Sequence, residues 1–337
     1  MKRITLELLL ACSVLVCPVM AQTYVGSCHG VGFATISAAV ASVPSGATIN
    51  VCPGNYPEQV TITKPLTLQG VAAAGSNAAT VIASATDSTF LNYNGILNRP
   101  SILVEAGPVN ITNINISAVY STNDCTTIAT GIAYVSGSSG TVNHTNASVL
   151  PAVAGGCTNS VGVWIENENV ATVTTVTVQN STLEVEGTGI WAHSGQPSNF
   201  APITYLKATG NLIFGNQPNS FAVGVYVDMA QGSVSNNSIH TSLIGVDLNT
   251  NAAITVSGNT VDSVTGIDVF QAKPTITGNK IYSDTGLDLN CQLATVTGNT
   301  FLGGRSGIAS TGILNPPVAL TGANNYFNVA TQKFNPC

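Results

Sequence analysis

Apolar residues alternate with polar ones in short runs along most of the chain, and in the last third the runs fall into a fixed period. Gly245-Val-Asp-Leu, Gly266-Ile-Asp-Val and Gly286-Leu-Asp-Leu open blocks 21 and 20 residues apart. A second mark, Gly258-Asn259, Gly278-Asn279 and Gly298-Asn299, leads each time into an apolar position: Val261, Ile281 and Phe301. A period of this length means one supersecondary unit stacked on the next. Gly131, Gly162, Gly189, Gly224, Gly245, Gly266, Gly286 and Gly307 are the expected coil starts. Their spacing is wider before Gly224, which places inserts such as 136–151 and 194–202 in the early coils and the regular coils at about 223–327.

One stretch has helical spacing: 33–43 (FATISAAVASV), stopped by Pro44-Ser-Gly46. It precedes the strands and is expected to plug the open end of the core, where an uncovered coil would present pairing edges. Residues 47–70 then give three alternating stretches ending at Cys52, Thr63 and Gln69, broken by Pro-Gly and Lys-Pro. Strands this short fit one coil of three strands joined by bends rather than hairpins. A leucine-rich horseshoe would need a helix or a Leu scaffold in each repeat, and neither is evident. Asn259, Asn279 and Asn299, with Asn211 and Asn237, should form a file at one bend, each in a left-handed backbone and each amide bonding the next.

The cap helix, the Cys52-Pro-Gly-Asn-Tyr-Pro-Glu58 bend and Lys64-Pro-Leu-Thr-Leu-Gln-Gly70 resemble the opening of right-handed parallel β-helix proteins of the pectin lyase-like superfamily. The later Gly-Ile-x-Leu and Gly-Asn-x-Ile units are similar to the tandem repeats of that superfamily, and the resemblance covers most of 29–327. It implies an all-β fold, a right-handed parallel β-helix (solenoid) with a short N-terminal capping helix. The superfamily holds lyases, hydrolases, esterases, isomerases and non-enzymes, so fold alone assigns no reaction. The pectinesterase Gly-x-x-Asp-Phe-x-Phe-Gly run is absent, as are the polygalacturonase Asn-Thr-Asp, Asp-Asp and Gly-His-Gly motifs. Pectate lyases use an Arg base, and the only arginines past the first segment are Arg99 and Arg305.

Composition agrees with strands: 7% of residues are charged, too few for long solvated helices or a disordered chain. Residues 1–21 read as a secretory signal, with Lys2 and Arg3 before an apolar stretch and Val19-Met20-Ala21 at the cleavage site; a lipoprotein reading at Leu9-Leu10-Ala11-Cys12 is the alternative. Residues 22–337 would then be a single β-helix domain, secreted, periplasmic or at the cell surface, with no membrane span after signal removal. The formal charge of −6 argues against nucleic acid and against polyanionic substrates unless a metal bridges them. Six cysteines follow the signal, and the expected disulfides are Cys28–Cys52, Cys125–Cys157 and Cys291–Cys337.

In a strand of the form Gly-Ile-Asp-Val the middle residue points outward. Coil by coil that position reads Ala133, Trp164, Trp191, Tyr226, Asp247, Asp268, Asp288, Ala309, and two residues further on come Glu166, His193, Asp228 and Asn249. Trp164, Trp191 and Tyr226 form an aromatic strip suited to stacking on sugar rings, unless the early inserts fold over it. Asp247, Asp268 and Asp288 form a carboxylate column, which is either a solvated face or a calcium site. Glu166, His193, Asp228 and Asp247 are the catalytic candidates, with Asp228 and Asp247 able to act as acid and base across a glycosidic bond. The expectation is a protein that binds, and by this set could cleave, a polysaccharide along one sheet face. The alternative is a non-enzymatic scaffold whose repeats build a rigid rod.

Overall fold

A computed structural model describes residues 22–71, 79–82, 90–91, 95, 97–120, 127–151, 160–168, 172–195, 204–215, 222–290, 292, 294–309 and 323–334. The chain is a right-handed parallel β-helix with three faces. The first face is an eleven-stranded parallel sheet running from Thr23–Val25 to Thr295–Thr297. The second runs from Gly54–Tyr56 through Thr182–Val185 to Asn325–Phe327. The third runs from Val60–Ile62 through Ser160–Asn167 to Thr331–Phe334. In the regular coils one long strand serves two faces: Thr260–Val269 pairs with Ser238–His240 by its first residues and with Ile244–Asn249 by its last. Among the described residues the only antiparallel pairing joins Phe90–Leu91 to Leu97–Val104.

Inward residues stack coil on coil to make the core. Val163, Ile190, Val225, Val246, Ile267, Leu287 and Ile308 are register partners in sequence and are all buried. The glycine that precedes each of them marks a corner. A Cβ at Gly131, Gly162, Gly189, Gly224, Gly245, Gly266 or Gly286 would sit 2.4–2.6 Å from the carbonyl oxygen of the next glycine in the file. All eight expected coil starts therefore occupy one equivalent corner.

The asparagine file is present and continuous. Nδ2 of Asn211, Asn237, Asn259, Asn279 and Asn299 each donates to Oδ1 of the next, ending at Asn324, over 2.9–3.1 Å. Each Oδ1 also accepts the preceding rung's backbone N–H. The left-handed backbone falls one residue earlier than expected, at Asn180, Gly210, Asn236, Gly258, Gly278 and Gly298. The ladder residue itself turns inward, so the residue before it must take the positive φ, which glycine and asparagine tolerate best.

The cap helix covers Ile36–Ser42, shorter than 33–43 because Phe33 is drawn into a bridge with Val25 and Thr35 takes the N-cap. Its ends are bound to the first coil. Glu58 accepts from the N–H groups of Ile36 (2.7 Å) and Ser37 (2.9 Å), and Lys64 donates to the carbonyls of Ala41 (3.2 Å) and Val43 (2.6 Å). Each charge opposes the helix dipole end it touches. Ile36, Ala39 and Val40 join the main core.

The Cys28–Cys52 disulfide ties this cap to the first face, with Cα atoms 5.6 Å apart. Cys125, Cys157, Cys291, Cys337 and the 1–21 segment lie outside the described residues. The stretch 136–151 is not an insert. Gly140–Asn143 and Asn146–Pro151 are regular strands of the first and second faces, whose Asn and Ser content masked the alternation. Among the described residues no helix is long and apolar enough to cross a membrane.

Candidate functional site

The third face places its outward residues in two adjacent files. Ala133, Trp164, Trp191, Tyr226, Asp247, Asp268, Asp288 and Ala309 are successive register partners. Glu166, His193, Asp228 and Asn249 form the second. The sequence-derived candidates are thus gathered on one side of the rod, within neighbouring coils.

Their environments differ from the expected open strip. Trp164 is 0% exposed, packed in an outward satellite cluster with Ile128, Ala133, Val135 and Val161. It is not a surface binding residue; apolar side chains at the outward positions of the coils around it were the signal. Its ring stacks on Trp191 at 4.8 Å with a 15° interplanar angle, and Trp191 meets Tyr226 at 4.4 Å and 38°. Coil spacing of about 4.8 Å brings rings in one file into contact, so they cover one another's faces. Only the last ring of the column, Tyr226, is followed by a smaller group, Asp247. The exposed part of the column is therefore compact, at the boundary between aromatics and acids.

Glu166 is buried and accepts the indole N–H of Trp164 at 2.9 Å. His193 and Asp228, both buried, pair through Nδ1 and Oδ2 at 3.1 Å. A carboxylate can only accept, so Nδ1 carries the proton and the tautomer is set. Two buried atoms beside this pair make no hydrogen bond: Nε1 of Trp191 and Oδ1 of Asp228. An unpaired buried donor or acceptor costs about 1–3 kcal/mol.

Asp247 and Asp268 are half-buried. Burial and the neighbouring carboxylates of Asp268 and Asp228 push Asp247 up to about 7, against the hydrogen bond from Asn249 (2.5 Å). Burial and Asp288 push Asp268 up to about 6, against the bond from Asn290 (2.6 Å). Between the ordinary carboxylate range and these values the folded chain holds protons that the unfolded chain has released, so stability falls as pH rises. Unfolding free energy by urea titration should be higher at pH 5 than at pH 8, with a slope of up to about 1.4 kcal/mol per pH unit for one group. Asp247→Asn should flatten that slope; an unchanged slope would rule out Asp247 as its source.

No three His, Cys, Asp or Glu side chains among the described residues converge as a metal-holding group. Asp247, Asp268 and Asp288 stand one per coil, with Asn249 donating to the first and Asn290 to the second.

No protein-family model matches the sequence, and no curated protein matches it. Solved structures do share its fold. The GH136 lacto-N-biosidase from Eubacterium ramulus is 12% identical over 92% of this chain and 68% of its own, with a TM-score of 0.62. The surface adhesin PfbA of Streptococcus pneumoniae is 14% identical over 89% and 87%, at 0.42. The periplasmic alginate epimerase AlgG is 13% identical over 90% and 84%, at 0.41. At 12% identity the likeness to the lacto-N-biosidase is one of fold.

Proposed function

We propose that the protein is an exported carbohydrate-binding β-helix whose ligand is a neutral glycan, held on the third face at Trp191, Tyr226, Asp228 and Asp247. The observation that carries this is the pair of unpaired buried atoms, Trp191 Nε1 and Asp228 Oδ1, beside half-exposed Tyr226. One is a donor and the other an acceptor, the two kinds of partner that sugar hydroxyls supply. Unsatisfied buried polar groups call for a partner, and a bound ligand is one that would supply it. The third face carries Asp228, Asp247, Asp268 and Asp288 together, and this repels uronate chains. The alignment of a lacto-N-biosidase with 92% of the chain is consistent with carbohydrate as the ligand class.

The same geometry supports hydrolysis as the finer reading. Asp228 and Asp247 lie diagonally, one coil across and two residues along, about 8 Å between backbone positions. Carboxyl pairs about 6.5–9.5 Å apart serve inverting glycosidases, with room for a water. Asp247, protonated near neutrality, would give its proton to the leaving oxygen, and Asp228, steadied by His193, would take one from water.

A neutral-glycan array read with wild type and Tyr226→Ala tests binding. Tyr226→Ala should weaken the best ligand at least about tenfold, 1.4 kcal/mol. Unchanged binding, or none in the wild type, would leave the rod as a scaffold. Reducing-sugar release that disappears in Asp228→Asn, with binding retained, supports hydrolysis.

A further inference from the structure

Between the second and third faces the regular coils turn a corner in a few residues, and an open trough of about 470 Å³ runs along it. Its floor is made of small residues. Ser263 pairs with Ser283 in the next coil, and Gly304 lies against the Ser283 carbonyl, where a Cβ would come within 1.9 Å. One wall is the file Asp262, Tyr282, Leu302; the other holds Val264 and Asp284. Tyr282 and Val264 are 37% and 49% exposed, both above this trough. Ser283 Oγ is buried and makes no hydrogen bond.

The trough is close to charge-balanced. Asp262 lies 3.8 Å from His240, Asp284 lies 3.6 Å from Arg305, and the Lys280 ammonium stands 5.0 Å from the Tyr282 ring centroid. An ionic ligand would have to displace these partners. A neutral polyhydroxyl ligand leaves both ion pairs in place: it offers an apolar face to the exposed part of Tyr282 and hydroxyls to the remaining carboxylate lone pairs. The volume is in the range of small-ligand sites, about 300–1,000 Å³.

We propose that this trough is a second saccharide-binding site, taking a neutral oligosaccharide along the rod axis with one ring against Tyr282 and Val264. It shares no residue with the third-face site and does not depend on it. The test is calorimetric titration of the full chain with neutral hexasaccharides of glucose, xylose, mannose and N-acetylglucosamine. Tyr282→Ala and Asp284→Ala change exposed side chains, so the fold should be kept, as circular dichroism would verify. Each should weaken one class of binding at least tenfold and leave the class that Tyr226→Ala removes. Loss in Tyr226→Ala alone would overturn the trough and leave the third-face reading standing. Loss in Tyr282→Ala alone would support the trough and overturn the third-face reading. Binding of no hexasaccharide would overturn both.

Discussion

Asn279→Ala should lower the unfolding free energy by about 3–5 kcal/mol, from the cost of orphaned buried polar groups. The side chain makes five hydrogen bonds in a buried corner, the longest from Nδ2 to Thr277 O at 3.3 Å. Nδ2 donates to Asn299 Oδ1 and Val256 O, both at 2.9 Å; Oδ1 accepts from Asn259 N at 3.0 Å and Asn259 Nδ2 at 2.9 Å. Alanine leaves the Asn259 N–H and the Val256 carbonyl without those partners in a buried corner. Because each coil touches only its neighbours, the loss should appear first as separate unfolding of the coils beyond 279. Urea titration followed by hydrogen exchange would show it as a lower first midpoint with protection lost from 280 onward. A change below 1 kcal/mol would mean that the ladder does not hold this corner together.

Gly245→Ala should cost about 3 kcal/mol, the upper range for overpacking a core. The new methyl would lie 2.2 Å from Val261 Cγ1 and 2.6 Å from the Gly266 carbonyl oxygen. The valine has little freedom at χ1 and the oxygen belongs to the next coil's backbone, so neither can retreat cheaply. Asp247 is two residues away on the same strand. A corner pushed outward should also move that carboxylate from Asp228 and Asp268, and the pH dependence of stability should shrink with it. Thermal unfolding at pH 5 and pH 8 reads both effects. A variant as stable as wild type would mean that the corner opens without cost.

Much of this was legible because it is periodic. Glycines at coil spacing named the corner, Gly-Asn pairs named the ladder, and counting two and four residues past each corner placed Trp191, Tyr226, Asp247 and Asp228 on one face. What periodicity does not carry is how outward groups treat one another. Trp164 reads as exposed from its phase alone, yet Ile128 and Ala133 of the preceding coil and Val161 of its own strand cluster with it. Stacking makes a file of rings lose its faces, which no strand pattern announces. The left-handed residue was misplaced by one because Gly-Asn satisfies the corner in either order, and only the inward turn of the amide decides. The corner trough went unseen because serine repeats look like ordinary turn sequence; its walls come from residues two coils apart.

The outward file has a further meaning for how such a chain can change over generations. One backbone slot accepts alanine, tryptophan, tyrosine or aspartate in successive layers, with the same inward valines, leucines and isoleucines beneath. A point substitution in that slot can shift the border between aromatic and acidic layers by a single coil while leaving the hydrophobic interior untouched. The scaffold therefore separates what must be kept from what is free to vary, and new recognition chemistry can be tried one layer at a time without refolding the rod.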